Sequence, residues 1–463
     1  MSQSNTCYET LFSPHASLAA LAAQMKARGI FDLVREGVHI AQKTVKDSPQ
    51  DKLIDILMTL LCGAQSLVQI NTLLRADPAL QRSIGRQRCS EQSVAQQTLD
   101  AATAENVEQM RGVLTTLFRQ HSQAASHSFS HGNWLILDVD LTGMPAGKKA
   151  ENSVKGYFHD PRTHRGRQQA RVLASQYDEI VVDELYPGNT ILLSTLPGLI
   201  EKAEQILQLT PWKRQHTILR IDAGGGTVDM IKSLLDRGYA VVSKEYSAAR
   251  VNHLIKSVKT WVEDPGRPER QMGWVQEETW EYLHPVRRLA VRNKNRKGQW
   301  HYGVLLFAGV SQKDILKLMG EPQRADEETL MRAYTHFYDQ RGGGVETSFG
   351  EDKNGLGITK RNKKRFEAQR LLMLLGTLAH NLLVWARRWL CRGAPHTASR
   401  LQHYGMKRMV RDLLQISGML SFDGKGRLCA ISLQASSSLA QLIQASLHHL
   451  LALSHIAVTL AQT

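Results

Sequence analysis

Acidic residues stand at the ends of two predicted strands, where their carboxylates could hold a metal ion. In WLILDVDLTG, Asp138 and Asp140 are two residues apart and therefore share one face of the strand. Asp222 closes the predicted strand HTILRID. Because carboxylates at the ends of neighbouring strands can converge on a cation that requires oxygen ligands, these residues could bind Mg²⁺. Each of them taken alone could instead cap a turn or the helix that follows, where aspartate is favoured.

A third acidic residue lies in a segment rich in groups that bind phosphate. In YDQRGGGVETSFGEDK, Glu346 opens a predicted helix, and Lys353 follows seven residues later on the same face. Tyr338 and Arg341, three residues apart, form a second same-face pair just before it. This arrangement is explained if the carboxylate holds a metal ion while the phenol and the cations bind phosphates.

The three glycines that follow Asp222, in IDAGGGTVD, are typical of a backbone that a phosphate approaches closely. That phosphate could belong to a bound nucleotide or to a nucleic acid strand. The net charge bears on this choice, because 58 Lys and Arg against 43 Asp and Glu give +15. Such an excess favours a polyanionic partner, of which nucleic acid is the commonest.

The elements that must position these residues follow from the hydrophobic periodicity. Helices are predicted over residues 15–125, where SEQSVAQQTLD suits either a helix-turn-helix DNA reader or a packing helix. From Trp134 the pattern predicts strand, hairpin, helix, strand, helix and strand, which is a mixed α/β sheet covered by helices. Further strands are predicted over residues 251–307, and helices resume after them.

The segment after Arg427 contains no Lys, Arg, Asp or Glu. Gln and His residues nevertheless interrupt every window of about 20 residues that a membrane span requires, so we predict a packed amphipathic helix and no membrane. The N-terminus lacks the layout of a signal peptide. Five widely spaced cysteines predict buried thiols in a reducing compartment, and the protein is therefore predicted to be cytoplasmic.

In their order along the chain, these motifs resemble those of DDE transposases of bacterial insertion sequences, in the branch whose RNase H-like core is interrupted by a β-rich insertion. That group has its first aspartate on the first core strand and its second at the end of the fourth. Its glutamate lies in a tyrosine–arginine–glutamate–lysine signature on a late helix. The matching residues here are Asp140 in DVDLT, Asp222 in RIDAGG, and Glu346. YPGNT and KRNKKRFEAQ…LAHNLL also resemble the family, so the similarity spans about residues 50–390.

The remaining signature positions match Tyr338, Arg341 and Lys353, and the sequence departs from the pattern in two places. Four residues, rather than the commoner three, separate Arg341 from Glu346. Asp138 also competes with Asp140 as the first aspartate. We prefer Asp140 because a hydroxyl residue follows it in the expected place.

The resemblance implies an α/β fold, with an RNase H-like mixed sheet and flanking helices. A β-rich insertion interrupts this core, an all-helical N-terminal domain precedes it, and C-terminal helices follow it. The predicted domains are a helical DNA-binding domain (1–130), a first core segment (131–250), the insertion (251–325), a second core segment with the glutamate helix (326–390) and a helical C-terminal region (391–463).

The resemblance also implies a reaction. Asp140, Asp222 and Glu346 would bind two magnesium ions, which manganese could replace, about 3.5–4 Å apart. In-line phosphoryl transfer would cut DNA at transposon ends and join them to target DNA, while Tyr338 and Arg341, with Lys353, grip phosphates. The implied partners are the terminal inverted repeats and target DNA, bound by a homodimer in a synaptic complex at the bacterial nucleoid.

Further DNA contacts are predicted from basic residues of the insertion and of a later basic run. They are Arg287, Arg288, Arg292, Lys294, Arg296 and Lys297, followed by Lys360, Arg361, Lys363, Lys364 and Arg365. The later run could equally be a solvated helix face. Trp274, Trp280 and Trp300 could stack on an unpaired or flipped base, or could pack between strands.

One alternative belongs to a different class of protein. IDAGGGTVD closely resembles the second phosphate loop of the actin, sugar-kinase and chaperone ATPases, whose core is also RNase H-like. Against this alternative, the first strand lacks a glycine–threonine turn, and no Gly-Gly-x-x-x-x-Pro adenosine loop follows. It also leaves the Glu346 signature and the positive charge unexplained.

Overall fold

The computed structural model of the chain describes residues 7–43, 46–158, 164–277, 281–282, 284–360, 362–393 and 400–461. The strands in chain order are β1 Cys7–Ser13, β2 Leu135–Pro145, β3 Val154–Lys155, β4 Arg165–Ala174, β5 Glu179–Pro187, β6 Thr217–Ile221, β7 Ala240–Lys244, β8 Val262–Asp264, β9 Arg267–Trp274, β10 Val286–Lys294, β11 Trp300–Ala308, β12 Gly418–Asp423, β13 Leu428–Gln434 and β14 Ala457–Ala461.

The helices are α1 Ala16–Ala27, α2 Ile30–Gly37, α3 Pro49–Leu61, α4 Pro78–Ser83, α5 Gln92–Asp100, α6 Ala104–His121, α7 Leu192–Leu207, α8 Pro211–Arg214, α9 Val228–Asp236, α10 Ala248–Leu254, α11 Gln312–Met319, α12 Glu327–Arg341, α13 Thr347–Glu351, α14 Phe366–Gly393, α15 Met406–Arg408 and α16 Ser438–Leu451. Short 3₁₀ segments cover Leu67–Ile70, Ser130–Gly132, Ala223–Gly225, Ile255–Ser257, Ile358–Lys360 and Ala452–Ser454. Wider π-helical turns cover Gly342–Glu346, Asp352–Leu356 and Met409–Leu413.

The chain divides into two compact units. The first consists of the described residues of Met1–Ser122, Pro145–Ser153 and Phe349–Thr463, and the second of those of Gln123–Met144 and Val154–Ser348. The five predicted domains remain a prediction. No helix within the described ranges is both long enough and apolar enough to cross a membrane.

The second unit is built on one large mixed sheet. Its strands lie in the order β3-β4-β2-β6-β7-β11-β10-β9-β8, and β5 pairs with β4. The strands β2, β6 and β7 are parallel, whereas β4 and β5 form an antiparallel hairpin. The predicted hairpin is therefore confirmed, with its turn between Ala174 and Glu179. The strands predicted as an insertion continue the same sheet, because β11 pairs antiparallel with β7.

Helices cover this sheet on both faces because its strands bury side chains in both directions. One face packs against α11 and α12 in an apolar cluster that includes Ile136, Ile218, Val242, Phe307 and Phe337. On the other side of β10 and β11, Ala290 and Val304 form a smaller cluster with residues of α10. Ile136 of β2 and Ile218 of β6 belong to the first cluster, which anchors these two strands in the core.

The first unit combines helices with a second sheet. The long helix α14 packs against α3, α5, α6 and α16, and its apolar residues are almost all buried. A four-stranded sheet has the order β1-β12-β13-β14. The predictions of an all-helical N-terminal domain and of purely helical C-terminal residues are therefore wrong at these strands.

The physical reason is the pairing of strands from opposite ends of the chain. Strand β1 pairs antiparallel with β12, and β13 pairs parallel with β14. Burial alternates along β13, as expected for a half-covered strand, but such short period-2 segments are ambiguous until a partner strand is known. Free thiols are confirmed at Cys62, Cys89 and Cys391, whereas Cys429 is disulfide-bonded, so the prediction is wrong for that residue.

Candidate active site

A buried ion pair joins the two central strands, in the first half of β2 and one residue before the end of β6. Strands β2 and β6 run parallel with Asp138 directly beside Arg220 in the register. Arg220 Nε and Nη2 donate to the two carboxylate oxygens of Asp138 at 2.6 and 2.9 Å. Both residues are buried, with Asp138 0% and Arg220 2% exposed. Asp138 is thus fully engaged by a planar, bidentate partner.

Beyond this pair, each strand leads to another acidic residue. The register continues with Val139 beside Ile221, so that Asp140 and Asp222 come next on adjacent parallel strands. The Asp140 side chain is 17% exposed, and Asp222 is exposed. Neighbouring strands lie about 4.8 Å apart, which brings two like charges to one edge of the sheet.

Asp222 is not used as a helix cap. Within the described residues its side chain accepts no capping hydrogen bond from the 3₁₀ turn Ala223–Gly225. The helix α9 is instead capped by Thr227, whose hydroxyl accepts from the backbone N–H of Met230 at 3.4 Å. The Asp222 carboxylate therefore remains available at the end of β6 for another role.

The glycines after Asp222 are explained by close packing. A Cβ on Gly226 would lie 2.3 Å from Ser243 Oγ and 2.9 Å from the carbonyl oxygen of Lys244 on β7. A Cβ on Gly225 would lie 3.2 Å from a methyl group of Leu192 on α7. The turn thus needs small residues to pass between α7 and β7, whatever phosphate approaches it.

Helix α12 brings the glutamate signature to this edge. Asp326 caps it by accepting from Thr329 N–H at 2.8 Å, and Leu330, Tyr334 and Phe337 pack on the sheet. This spacing leaves Tyr338 and Arg341 at the end of the helix, facing the strand ends. The π-helical turn Gly342–Glu346 follows directly.

Arg341 is the central group of the cluster. Its Nη2 lies 3.1 Å from Asp140 Oδ2, and its Nη1 lies 3.0 Å from Glu346 Oε1. Arg341 is 4% exposed, whereas the Glu346 side chain is 57% exposed. The Arg341 Nε is buried and has no hydrogen-bond partner among the described residues. One guanidinium therefore pairs with two of the three predicted acidic residues.

The three carboxylates act on one another electrostatically. Burial raises the pKa of Asp140 to about 6; the negative charges of Asp222 and Glu346 add to this, and Arg341 opposes it. Burial also raises the pKa of the Tyr338 phenol, with further contributions from the same three carboxylates. For Arg341, burial would lower the pKa, but the surrounding anions raise it on balance. The cluster is a concentration of negative charge that favours a cation.

The described residues contain no ready-made metal site in which three acidic, His or Cys side chains converge. Their chemistry nevertheless fits hard divalent cations, because all three candidates are carboxylates. Asp140 and Glu346 already share one positive group, Arg341. The carboxylates thus supply the type of donor that hard divalent cations prefer, and Arg341 is their present counter-charge.

Three of the predicted phosphate-binding lysines belong to the first unit. The ammonium group of Lys353 lies 6.0 Å from the centroid of the Phe349 ring. Lys360 is exposed in the same unit, and Arg361 is outside the described residues. Lys363 is buried and donates to Gln96 Oε1 at 2.6 Å, so it serves packing there.

The adjacent arginines of β10 have different surroundings because neighbouring residues point to opposite faces of a strand. Arg288 is 4% exposed and pairs with Glu245 at 3.0 Å and Glu281 at 2.6 Å. Arg287 stacks over the ring of Trp274, with 3.8 Å between its guanidinium carbon and the ring centroid. Both are thus engaged within the protein, and Arg288 is neutralised by two carboxylates.

The tip of the β10–β11 hairpin carries an aromatic and basic surface. Arg292 lies between Trp261 and Trp300, at 4.2 and 4.5 Å from their ring centroids. Lys294 lies 4.9 Å from the Trp300 ring, and Arg296 and Lys297 are exposed in the turn. The aromatic rings hold the cations on one strand face. Trp280 is outside the described residues.

The sequence interpretation missed Arg220. This residue also donates to the carbonyl oxygen of Phe337 on α12 at 2.6 Å and to Ser175 Oγ at 3.1 Å. It therefore ties β2, β6, the β4–β5 hairpin and α12 together at the site. A signal existed, because a lone arginine inside the apolar strand HTILRID requires a buried anionic partner.

Comparisons with known proteins bear on the family of this chain. The family model described as "Transposase DDE domain group 1" matches residues 11–454. No curated protein matches the chain. Among solved structures, a cryo-EM structure of the piggyBac transposase synaptic complex with hairpin DNA matches with 12% sequence identity and a TM-score of 0.46. The match covers 87% of this chain and 80% of the other.

Proposed function

This chain belongs to the DDE transposases of group 1, and from that membership we propose that it is an insertion-sequence transposase. It would cut DNA at the ends of the element and join those ends to target DNA. One observation carries the proposal: Asp140 and Asp222 directly follow a register pair on adjacent parallel strands, and Arg341 links Asp140 to Glu346.

The strand order supports an RNase H-like core. Leaving aside the two-residue strand β3, the core strands in chain order are β2, β4, β5, β6 and β7. Their spatial order is β5-β4-β2-β6-β7, with β2 and β6 adjacent and parallel. The first and fourth core strands are thus neighbours, which is where the family resemblance requires the two aspartates.

Asp140, Asp222 and Glu346 would hold the divalent ions. Two such ions, when bound, would activate the attacking oxygen and stabilise the departing one during in-line displacement. Magnesium is the expected ion, and manganese could replace it. Asp138 is not included, because Arg220 already occupies both of its carboxylate oxygens.

The chain's own residues would align the DNA for this displacement. Arg341 pairs with Asp140 and Glu346 and would hold both carboxylates in place beside a phosphate of the scissile strand. Tyr338 keeps its proton because its pKa is raised, so its hydroxyl can donate to the same phosphate. Lys353, from the resemblance, would add a further phosphate contact.

A second DNA contact is proposed at the tip of the β10–β11 hairpin. Lys294, Arg296 and Lys297 are exposed there, beside the Trp261–Arg292–Trp300 stack. Cations on an aromatic platform suit a phosphate backbone with unpaired bases. Arg288 is left out of this surface because it is buried between two carboxylates.

Transposition requires two ends to be held together, so we further propose a homodimer on paired terminal inverted repeats. Such an enzyme acts on chromosomal DNA, and its place would be the bacterial cytoplasm at the nucleoid. Lys360 and Arg361 would contribute to the DNA contacts that the positive net charge favours.

The proposal is tested with a supercoiled plasmid that carries the terminal repeats of the element. Wild-type protein should nick it in Mg²⁺ or Mn²⁺ and not in EDTA. Asp222→Ala and Glu346→Ala should reduce nicking to background. Asp229→Ala, which removes an exposed acidic residue from the first turn of α9, should nick like wild type.

Nicking that survives both active-site substitutions would refute the site. The same preparations should be assayed for ATP hydrolysis. Turnover of ATP that is lost in Asp222→Ala, without nicking by wild type, would instead support the ATPase alternative. The packing of Gly225 and Gly226 against α7 and β7 already gives these glycines a reason that needs no nucleotide.

A further inference from the structure

The segment between Arg341 and Glu346 raises a geometric problem. In an α-helix each residue advances by 100°, so residues five positions apart point in directions roughly 140° from each other. Glu346 would then lie well away from the face that carries Arg341. Yet Arg341 Nη1 and Glu346 Oε1 are 3.0 Å apart. The backbone between them must therefore depart from the α-helix.

The departure is the π-helical turn Gly342–Glu346. A π turn closes its hydrogen bonds over five residues instead of four, so it contains one residue more per turn. Residues five apart then take the same-face relation that residues four apart have in an α-helix. The backbone N–H of Thr347 bonds to the carbonyl oxygen of Gly342, five residues earlier.

Gly344 of this turn packs directly against the buried Asp138–Arg220 ion pair. A Cβ on Gly344 would lie 2.5 Å from Asp138 Oδ2 and 3.3 Å from Ser175 Cβ. The Asp138 carboxylate cannot move away from such a Cβ, because Arg220 donates to both of its oxygens. Arg220 is itself held by hydrogen bonds to Phe337 and Ser175. A Cβ on Gly343, by contrast, would meet nothing within 4 Å.

We propose that Gly344, seated on Asp138, is a positioning residue that holds the π turn and thereby brings Glu346 to the face of Arg341 and Asp140. The inference rests on the proposed function of Glu346. In this arrangement the π turn packs through Gly344 on the buried Asp138–Arg220 pair. This contact fixes the position of Glu346 relative to Asp140 and Arg341.

The matched pair of substitutions is Gly344→Ala and Gly343→Ala. The two substitutions change the helix propensity of the turn by the same amount, but only Gly344→Ala places a methyl group against Asp138. The first readout is Mn²⁺ binding to the protein alone, followed by electron paramagnetic resonance. Gly344→Ala should weaken it about 10–100-fold, as loss of an outer support does, while Gly343→Ala stays close to wild type.

The second readout is nicking of the terminal-repeat plasmid. Gly344→Ala should lower the rate at saturating DNA about 10–100-fold and leave DNA affinity unchanged, because the substitution moves a ligand and not a DNA contact. A merely structural defect would lower the melting temperature and the DNA affinity together. Equal behaviour of the two alanine variants in both readouts would overturn the proposal.

A deletion keeps the proposal falsifiable if Gly344→Ala fails to fold. Removing Gly343 leaves Glu346 four positions after Arg341, so an ordinary α-helical turn would restore their same-face relation. The deletion variant should therefore bind Mn²⁺ and nick DNA within about tenfold of wild type. Loss of both, to the level of Glu346→Gln, would overturn the proposal. If wild type itself fails to nick in Mg²⁺, the proposed function fails, and Mn²⁺ binding still decides the role of Gly344.

Discussion

Asp138 and Asp140 share one strand face, yet their replacement by asparagine should have opposite consequences. Asp138→Asn leaves the buried Arg220 without its anionic partner, and removing one member of a buried pair costs about 3–5 kcal/mol. For a domain of 150–250 residues, 1 kcal/mol shifts the melting temperature by about 2–4 °C, so the expected loss is roughly 6–20 °C. Asp140→Asn should shift the melting temperature by little, because Arg341 keeps Glu346 as a partner and because burial opposes the ionisation of Asp140.

The order of the two variants should be reversed for DNA nicking: Asp140→Asn should have the larger effect. At a temperature well below both transitions, Asp138→Asn should keep metal-dependent nicking within about 10–100-fold of wild type, because it supports the site without holding an ion. Asp140→Asn should abolish nicking. The assay combines thermal unfolding followed by circular dichroism with nicking of the terminal-repeat plasmid in Mg²⁺.

The double variant Asp138→Asn with Arg220→Met supplies the control. Replacing both members of the pair removes the unpaired charge and should recover much of the lost melting temperature. The reasoning is refuted if Asp138→Asn melts within about 2 °C of wild type and has lost nicking, since a shift that small corresponds to at most about 1 kcal/mol. Asp138 would then be the ligand, and Arg220 its partner only in the absence of metal.

Three further predictions concern other residues. Arg288→Ala should cost about 3–5 kcal/mol of stability and leave the salt dependence of DNA binding unchanged, whereas Arg296→Ala should leave stability unchanged and lower the salt slope by about 1. For Asp264, burial alone would raise the pKa, but hydrogen bonds from Arg270 and a backbone N–H hold it below its usual range. The ionised Asp264 therefore stabilises the folded state above about pH 3.9, and this stabilisation is lost as the pH falls through the pKa of the folded state. The free energy of unfolding of Asp264→Asn, measured between pH 2 and 7, should lack this acid-sensitive component. Gly226→Ala should cost about 1–3 kcal/mol in urea unfolding because of overpacking against β7.

Each of these has an outcome that would contradict it. A lowered salt slope in Arg288→Ala would mean that the buried arginine reaches DNA. Parallel acid-unfolding curves for wild type and Asp264→Asn would mean that this carboxyl is not held ionised. A Gly226→Ala variant as stable as wild type would remove the packing explanation for the glycines.

The features of the site that could be predicted are those that depend on local pattern. The apolar strands WLILDVDLTG and HTILRID are each long enough and apolar enough to indicate buried strands, and both form, as β2 and β6. Asp222 directly follows β6, as its position in the run indicates, whereas β2 continues past Asp140 to Pro145. That Arg341 and Glu346 meet did not follow from α-helical spacing, because the intervening turn is π-helical.

The partners of charged residues could not be predicted, since a period of two identifies the face of a strand but not its neighbour. Asp138 and Asp140 share one strand face, and only the β2–β6 register assigns Arg220 to Asp138 and leaves Asp140 to Arg341. Arg288 is likewise indistinguishable from Arg287 until the fold buries it between two carboxylates.

Residue types, the course of the main strands and helices, and the presence of acidic residues on or directly after two core strands depend on local periodicity and can therefore be inferred without the fold. Which of those charges are neutralised and which remain available depends on the fold, because pairing joins residues far apart in the chain. The same reason explains the C-terminal sheet, in which β12 pairs with β1 from the other end of the sequence.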